Sequence, residues 1–318
     1  MTVLTRTILT RIAASIIMLV LISVFIFFAV DMLPGDVARA ILGSSATTEA
    51  LAALRTKLGL DEPAVWRFAH WAWGVLHGDF GTSITTQEPV TTIISFRLGN
   101  TLWLAALAAA ISIPLALALG IGSALWEGSA FDRIASIVTL GAISMPEFFV
   151  AYSLVALFAL NWQIFPPIST VTTDSTFLDR LDALILPAIT LAFAVVAHMM
   201  RMIRAAILDV LGSPFMVMAE LKGMPLRRRI LRHALPNAAA PIINVIVLNL
   251  AYLIVGVVVV EVIFVYPGLG QLLIDSVAQR DLPLVQAGSL IFAAIYLTLN
   301  TVADVLAIAF NPRLRFPR

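Results

Sequence analysis

Six long apolar runs, separated by short polar stretches, dominate the chain: Ile12–Leu33, Thr101–Leu125, Ile134–Leu160, Leu186–Met202, Pro241–Val265 and Leu284–Phe310. Most of them approach or exceed the ~20 residues a helix needs to cross the hydrocarbon core of a bilayer. Backbone in lipid must satisfy its own hydrogen bonds, which long apolar helices do. The pattern therefore predicts an all-α membrane protein with six transmembrane helices. The first run follows Arg6 and Arg11 and leads into Asp31-Met32-Leu33-Pro34-Gly35. It is longer than a secretory signal and lacks a small-residue cleavage site, so it reads as a retained first span.

Composition agrees. Hydrophobic residues make up 60% and charged residues 12%, against roughly a quarter charged in soluble domains. The net charge of +1 gives no field that would draw nucleic acid, and a chain without cysteine has neither disulfides nor thiolate chemistry. Orientation follows from Lys and Arg, which accumulate on the cytoplasmic side. With both termini cytoplasmic, the inner segments hold 13 of the 20 basic residues, seven of them between Arg201 and Arg232, and the outer segments hold the other seven.

Two polar segments carry structure of their own. The outer segment from Pro34 to Gly99 has Leu51, Leu54, Leu58 and Leu60 at near-helical spacing. Its aromatics Trp66, Phe68, Trp71 and Trp73 read as interfacial anchors or a small packed cap. In the inner loop before the fifth run, Ser213-Pro214 reads as an N-cap followed by proline at the first helical position, and Gly223 as the closing C′ residue. The helix between them places Phe215, Met218 and Leu221/Lys222 on one face, with Glu220 off it. A second helix starts at Pro225, ahead of Arg227, Arg228, Arg229 and Arg232. A short capped helix with apolar residues in water either docks another protein or lies on the membrane beneath a basic cluster.

Ionisable groups at membrane depth are costly and normally face protein or a water-filled cavity. Glu147, Glu261 and Asp304 are such groups. Glu147 follows Pro146, where the helix breaks, and with Ser144 is a candidate for lining a pathway, where it would meet an amino group or another cation. Glu261 and Asp304 read as structural. His198 reads as an interface residue, and Asn244, Asn249 and Asn300 as interhelical hydrogen bonders. Met199, Met200, Met202, Met216, Met218 and Met224 read as adaptable packing at a moving interface.

Several motifs then fall in one order along the chain: Leu33-Pro34-Gly35-Asp36 with Ala38-Arg39, Leu58-Gly59-Leu60-Asp61, Gly78-Asp79-Phe80-Gly81-Thr82-Ser83 and Pro89-Val90. Ser144-Met145-Pro146 with Phe148 follows, then Ala219, Lys222, Gly223, His233-Ala234-Leu235 and Asn237. Val258-Val259-Val260-Glu261, Phe264, Pro267-Gly268-Leu269-Gly270, Arg280-Asp281-Leu282-Pro283-Leu284-Val285-Gln286 and Asn311-Pro312-Arg313 complete the series. In order and spacing the chain resembles the permease subunits of bacterial ABC importers of the dipeptide/oligopeptide/nickel family. It departs from the family's pattern at Val217, Met218 and Glu220, and at Glu147.

The resemblance implies the type I ABC importer permease fold in the inner membrane, with a periplasmic segment between the first two helices and a cytoplasmic coupling helix between the fourth and fifth. It divides the chain into 1–98, the first helix with the periplasmic segment, and 99–318, the permease core with coupling loop 203–236. It implies a second homologous permease, two ABC ATPases and a periplasmic binding protein as partners. The coupling helix, with Phe215, Met218, Ala219, Leu221, Lys222 and Gly223, would seat in a groove on an ATPase. ATP and Mg would be held by those subunits, because no GxxxxGK[ST] loop occurs here. The expected cargo is di- or oligopeptides, with nickel complexes or another small polar solute as the alternative on the same scaffold. A secondary transporter would show repeated halves, and an intramembrane hydrolase a nucleophile elbow; the sequence has neither.

Overall fold

The computed structural model describes residues 3–32, 47–57, 59, 61–172 and 174–310, and all of its named elements are helical. The motifs at 33–39 and 311–313, together with Leu58 and Leu60, lie outside the described residues. In chain order the elements are α1 (Val3–Asp31), α2 (Thr48–Lys57), α3 (Ala64–Leu76), α4 (Val90–Leu125), α5 (Ala130–Ser144) and α6 (Glu147–Asn161). They continue as α7 (Phe177–Leu211), α8 (Pro214–Leu221), α9 (Leu226–Ile263), α10 (Leu269–Gln279) and α11 (Leu282–Phe310).

Five helices are long and apolar enough to cross a membrane, and the bent pair α5–α6 makes a sixth span. The bend is 103° and falls at Met145-Pro146. Proline lacks the N–H that would continue the ladder, and Pro146 takes extended backbone (ψ 142°) before α6 begins. The third span is thus a broken helix, with its break at the proline where the sequence places it.

Other spans outgrow their apolar runs, α4 among them, which starts at Val90 and not near Thr101. Instead of starting near Leu186, α7 starts at Phe177, because Thr176 and Asp179 close a capping box in which each side chain accepts the other's backbone N–H (3.0 and 3.3 Å). The fifth span begins at Leu226 instead of Pro241. The arginines from Arg227 to Arg232 lie within its first turns, and a π-helical stretch, Arg229–Ala234, leads into the α-helical part at Leu235-Pro236.

The span α7 is the axis of the bundle. Of its most apolar window 72% is buried, against 6% for α1 and 11% for α11, so α7 is wrapped by the rest of the chain while α1 and α11 form its outer rim. It packs along α4 and α9, while α1 leans on α11. Close approach needs small residues: a Cβ added at Gly120 of α4 would sit 2.8 Å from Ile203 of α7. Outside the core, α3 folds back on α1. Arg67 grips Asp31 through two contacts (2.7 and 2.9 Å), and Phe68 and Trp71 pack on Phe27 (centroids 5.4 and 5.7 Å). The expected aromatic cluster therefore divides: Phe68 and Trp71 pack inward, while Trp66 and Trp73 remain exposed.

Candidate functional site

Three places concentrate polar or exposed groups that a bilayer-embedded bundle has reason to bury or avoid: a helix outside the spans, a cavity among them, and a brace at the opposite end.

The helix is α8. Pro214 occupies its first position. Ser213 precedes it in extended backbone, but its hydroxyl donates back to the Val210 carbonyl and makes no cap bond, which corrects the expected capping role. The far end closes as a Schellman motif. Gly223 N–H donates to the Glu220 carbonyl (2.8 Å), Met224 N–H to that of Ala219 (3.2 Å), and Gly223 has φ +73°. Met216 is fully buried and roots the helix in the bundle, next to the π turn. Phe215, Met218 and Leu221 point away and are 49%, 55% and 77% exposed. Lys222 is also exposed and Ala219 half-buried. Glu220 pairs with Arg229 (2.7 Å), which fixes α8 against the start of α9.

At the same end, Arg204 of α7 holds Asp132 of α5 with two parallel bonds, 2.7 and 2.8 Å. Asp132 is nearly buried and also accepts the Gly128 N–H. Bidentate arginine–carboxylate pairs are among the strongest polar contacts a protein makes. This one ties the broken third span to the axis. It escaped sequence reading because 72 positions separate the partners.

The cavity, of about 770 Å³, opens among α5, α6, α7, α9 and α11. Its polar wall consists of Glu147, His198, Asn249, Tyr252, Tyr296 and Asn300. Glu147 Oε1 accepts the Tyr252 hydroxyl (3.2 Å), and Gly256 leaves room for the carboxylate, which a Cβ there would approach to 3.3 Å. Asn249 Nδ2 donates to the Val245 carbonyl (2.7 Å), so its Oδ1 faces His198 and accepts from Nδ1–H (3.2 Å). Ser144 is not part of this wall: its hydroxyl bonds to Leu140 in its own helix (2.9 Å). Tyr252 and Tyr296 carried no sequence signal of their own. They are recognisable only once the bend at Pro146 brings α6 to α9.

The brace centres on Glu261, which is fully buried. Its carboxylate accepts the Thr101 hydroxyl (2.6 Å) and the N–H groups of Gly270 (2.7 Å) and Gln271 (3.1 Å) at the start of α10. A negative group at a helix N-terminus meets unpaired N–H donors and the positive end of the dipole. The glycines of Pro267-Gly268-Leu269-Gly270 admit it: a Cβ at Gly268 would overlap the carboxylate, and one at Gly270 would sit 2.7 Å from Val258 Cα. Asn100 bonds the Pro267 carbonyl (2.9 Å) and receives the Tyr266 hydroxyl on its own carbonyl (3.0 Å). Burial, with Glu261 adding to it, raises the Tyr266 phenol above its ordinary range and keeps it a donor.

Asp304 pairs with Arg11 (3.1 Å) between α11 and α1, where Ser15 and Thr301 also meet (2.7 Å). Of the methionines, Met199, Met200 and Met216 are buried, while Met202 and Met218 are exposed.

The chain matches the family model "Binding-protein-dependent transport system inner membrane component" over residues 112–316. It matches the companion model "Binding-prot-dependent transport system membrane comp, N-term" over residues 4–105. It is 37% identical over 309 residues to the glutathione transport system permease protein GsiC of Salmonella choleraesuis (strain SC-B67), covering 97% of this chain and 98% of that one. Against GsiC of Escherichia coli (strain K12) it is 37% identical over 298 residues, covering 94% and 95%. The chain belongs to the binding-protein-dependent transport system inner membrane component family, as a multi-pass inner-membrane permease subunit of an ABC importer with the type I permease fold.

Proposed function

We propose that this chain and a second, homologous permease form the pore of an importer for di- and oligopeptides, that two ABC ATPases drive it, and that a periplasmic binding protein delivers the cargo. The observation that carries the reading is the cavity of about 770 Å³ among the spans, with six polar side chains on its wall. Its size falls in the range of small-molecule sites, roughly 300–1,000 Å³. A peptide cargo is supported by the relatives, which are named for transport of glutathione, itself a tripeptide.

In this reading α8 lies on the cytoplasmic side, both termini lie there too, and the segment carrying α2 and α3 is periplasmic. The basic residues favour this orientation. The exposed face of Phe215, Met218, Leu221 and Lys222 seats in the ATPase, which holds ATP and Mg. Gly223 ends the helix so that the chain turns at once into α9. Closure of the ATPases moves α8, and the spans change from inward- to outward-facing as rigid bodies.

The test is ATP-dependent uptake in proteoliposomes containing the complete complex, loaded binding protein and labelled glutathione or dipeptides. Uptake that stops without ATP supports the proposal. Uptake driven instead by a proton or sodium gradient contradicts it, and uptake of nickel complexes with no peptide uptake replaces the cargo.

A further inference from the structure

We infer that Glu147 and Tyr252 form an ammonium-accepting subsite on the transport path, which receives the free amino group of the peptide as it passes. The inference rests on the permease reading above and adds the chemistry of one station along the path.

Among the aliphatic side chains of the cavity wall stand Glu147, His198, Asn249 and Asn300, beside the rings of Tyr252 and Tyr296. Glu147 has one hydrogen-bond partner, the Tyr252 hydroxyl, and among the described residues no Lys, Arg or His pairs with it. A half-buried carboxylate without a cation is costly in a bilayer-embedded bundle. Two other carboxylates at membrane depth are satisfied: Glu261 by three donors and Asp304 by Arg11. Glu147 is thus the acidic group that faces a cavity with its charge unmatched.

Its neighbours favour the same ligand. Because His198 donates through Nδ1 to Asn249, its Nε2 is an acceptor in the neutral ring. Tyr252 and Tyr296 are 52% and 42% exposed and offer ring faces, which attract cations. One carboxylate and one imidazole fall short of the ligand sets that hold bare divalent metals. An organic ammonium asks for less: a carboxylate, one or two neutral acceptors and an aromatic wall. The bend at Pro146 supplies the placement, because Glu147 opens α6 and so reaches α9 across the break.

Glu147→Gln separates this role from a purely structural one. Glutamine keeps an oxygen that accepts the Tyr252 hydroxyl but carries no charge. In proteoliposomes holding the full complex, binding protein and labelled trialanine or glutathione, we expect Glu147→Gln to cut peptide uptake about tenfold or more, as befits the loss of a charge-assisted hydrogen bond. Binding-protein-stimulated ATP hydrolysis should change less than twofold, so that more ATP is consumed per peptide. Glu147→Asp should recover part of the uptake. Tyr252→Phe keeps the charge and should lose less than Glu147→Gln. Wild-type uptake by Glu147→Gln, or an equal fall in uptake and ATP hydrolysis, overturns the subsite. Absence of ATP-dependent uptake in the wild type overturns the permease reading itself, a separate outcome.

Discussion

Ser83 and Asp281, 198 positions apart, meet in a fully buried hydrogen bond of 2.6 Å. The same carboxylate oxygen accepts the backbone N–H and the hydroxyl of Thr85 (3.0 and 2.7 Å), while Asp281 Oδ1 faces the Leu284 N–H (3.4 Å) at the first turn of α11. One side chain thus pins the loop before α4 to the start of α11. Arg280, held at φ +57° as the left-handed end of α10, turns the chain into it. The motifs containing Gly81-Thr82-Ser83 and Arg280-Asp281 are two halves of one joint.

Removing the acceptor strands its donors in a buried site. Asp281→Ala should destabilise the complex by about 2–5 kcal/mol, against about 1 kcal/mol for Ser83→Ala. Thermal unfolding in detergent ranks the two. Equal melting temperatures would show the joint to be incidental.

The brace makes a steric prediction. Gly268→Ala places a methyl group on the Glu261 carboxylate, so the α9–α10 corner must open, and little assembled protein should be recovered. Gly141→Ala in α5 meets nothing within 4 Å and should be neutral or stabilising by up to about 1 kcal/mol, from helix propensity. The yield of monodisperse complex by size-exclusion chromatography compares them.

The Asp132–Arg204 pair links the broken span to the axis. Arg204→Ala leaves a nearly buried carboxylate without its cation and should cost about 1.5–3 kcal/mol. Arg204→Lys should recover only part, since a lysine cannot bond both oxygens in a fork. A double-mutant cycle with Asp132→Asn, read by thermal melts, gives the coupling; additive single effects would deny it.

The end of α8 should tolerate little change. Gly223→Ala forces a side chain into left-handed backbone, at about 1–2 kcal/mol. Gly223→Pro also deletes the N–H that bonds Glu220 and demands φ near −65°. We expect Gly223→Pro to insert in the membrane at normal levels yet to lose uptake and ATPase co-purification; normal uptake would remove α8 from the coupling path.

Much of this was legible in the sequence, for local reasons. Apolar runs mark spans because lipid tolerates little else, and Pro214 and Gly223 mark the ends of α8 because backbone geometry restricts those positions. What stayed hidden depends on distant partners. The apolar run puts the start of the fourth span at Leu186, yet the capping box of Thr176 and Asp179 starts α7 nine residues earlier, at Phe177. Arginines before Pro236 suggest a separate helix, yet a π turn joins them to α9. Glu261 was recognisable as buried and structural in type, but not as the cap of α10, because Thr101 lies 160 positions away. Ser144 was a pathway candidate beside Glu147, yet its hydroxyl turns back to Leu140 while Glu147 lines the cavity.

The most direct test of the account places a single Leu221→Cys substitution in a chain that has no cysteine of its own. Leu221 is the most exposed of the apolar residues on the outer face of α8. A short photoactivatable thiol reagent attached there, in the intact native-membrane complex, should transfer to a P-loop ATPase identified by mass spectrometry, and a second permease should co-purify. Label found on lipid alone, with the chain folded and no ATPase recovered, would place α8 on the membrane surface and contradict the account.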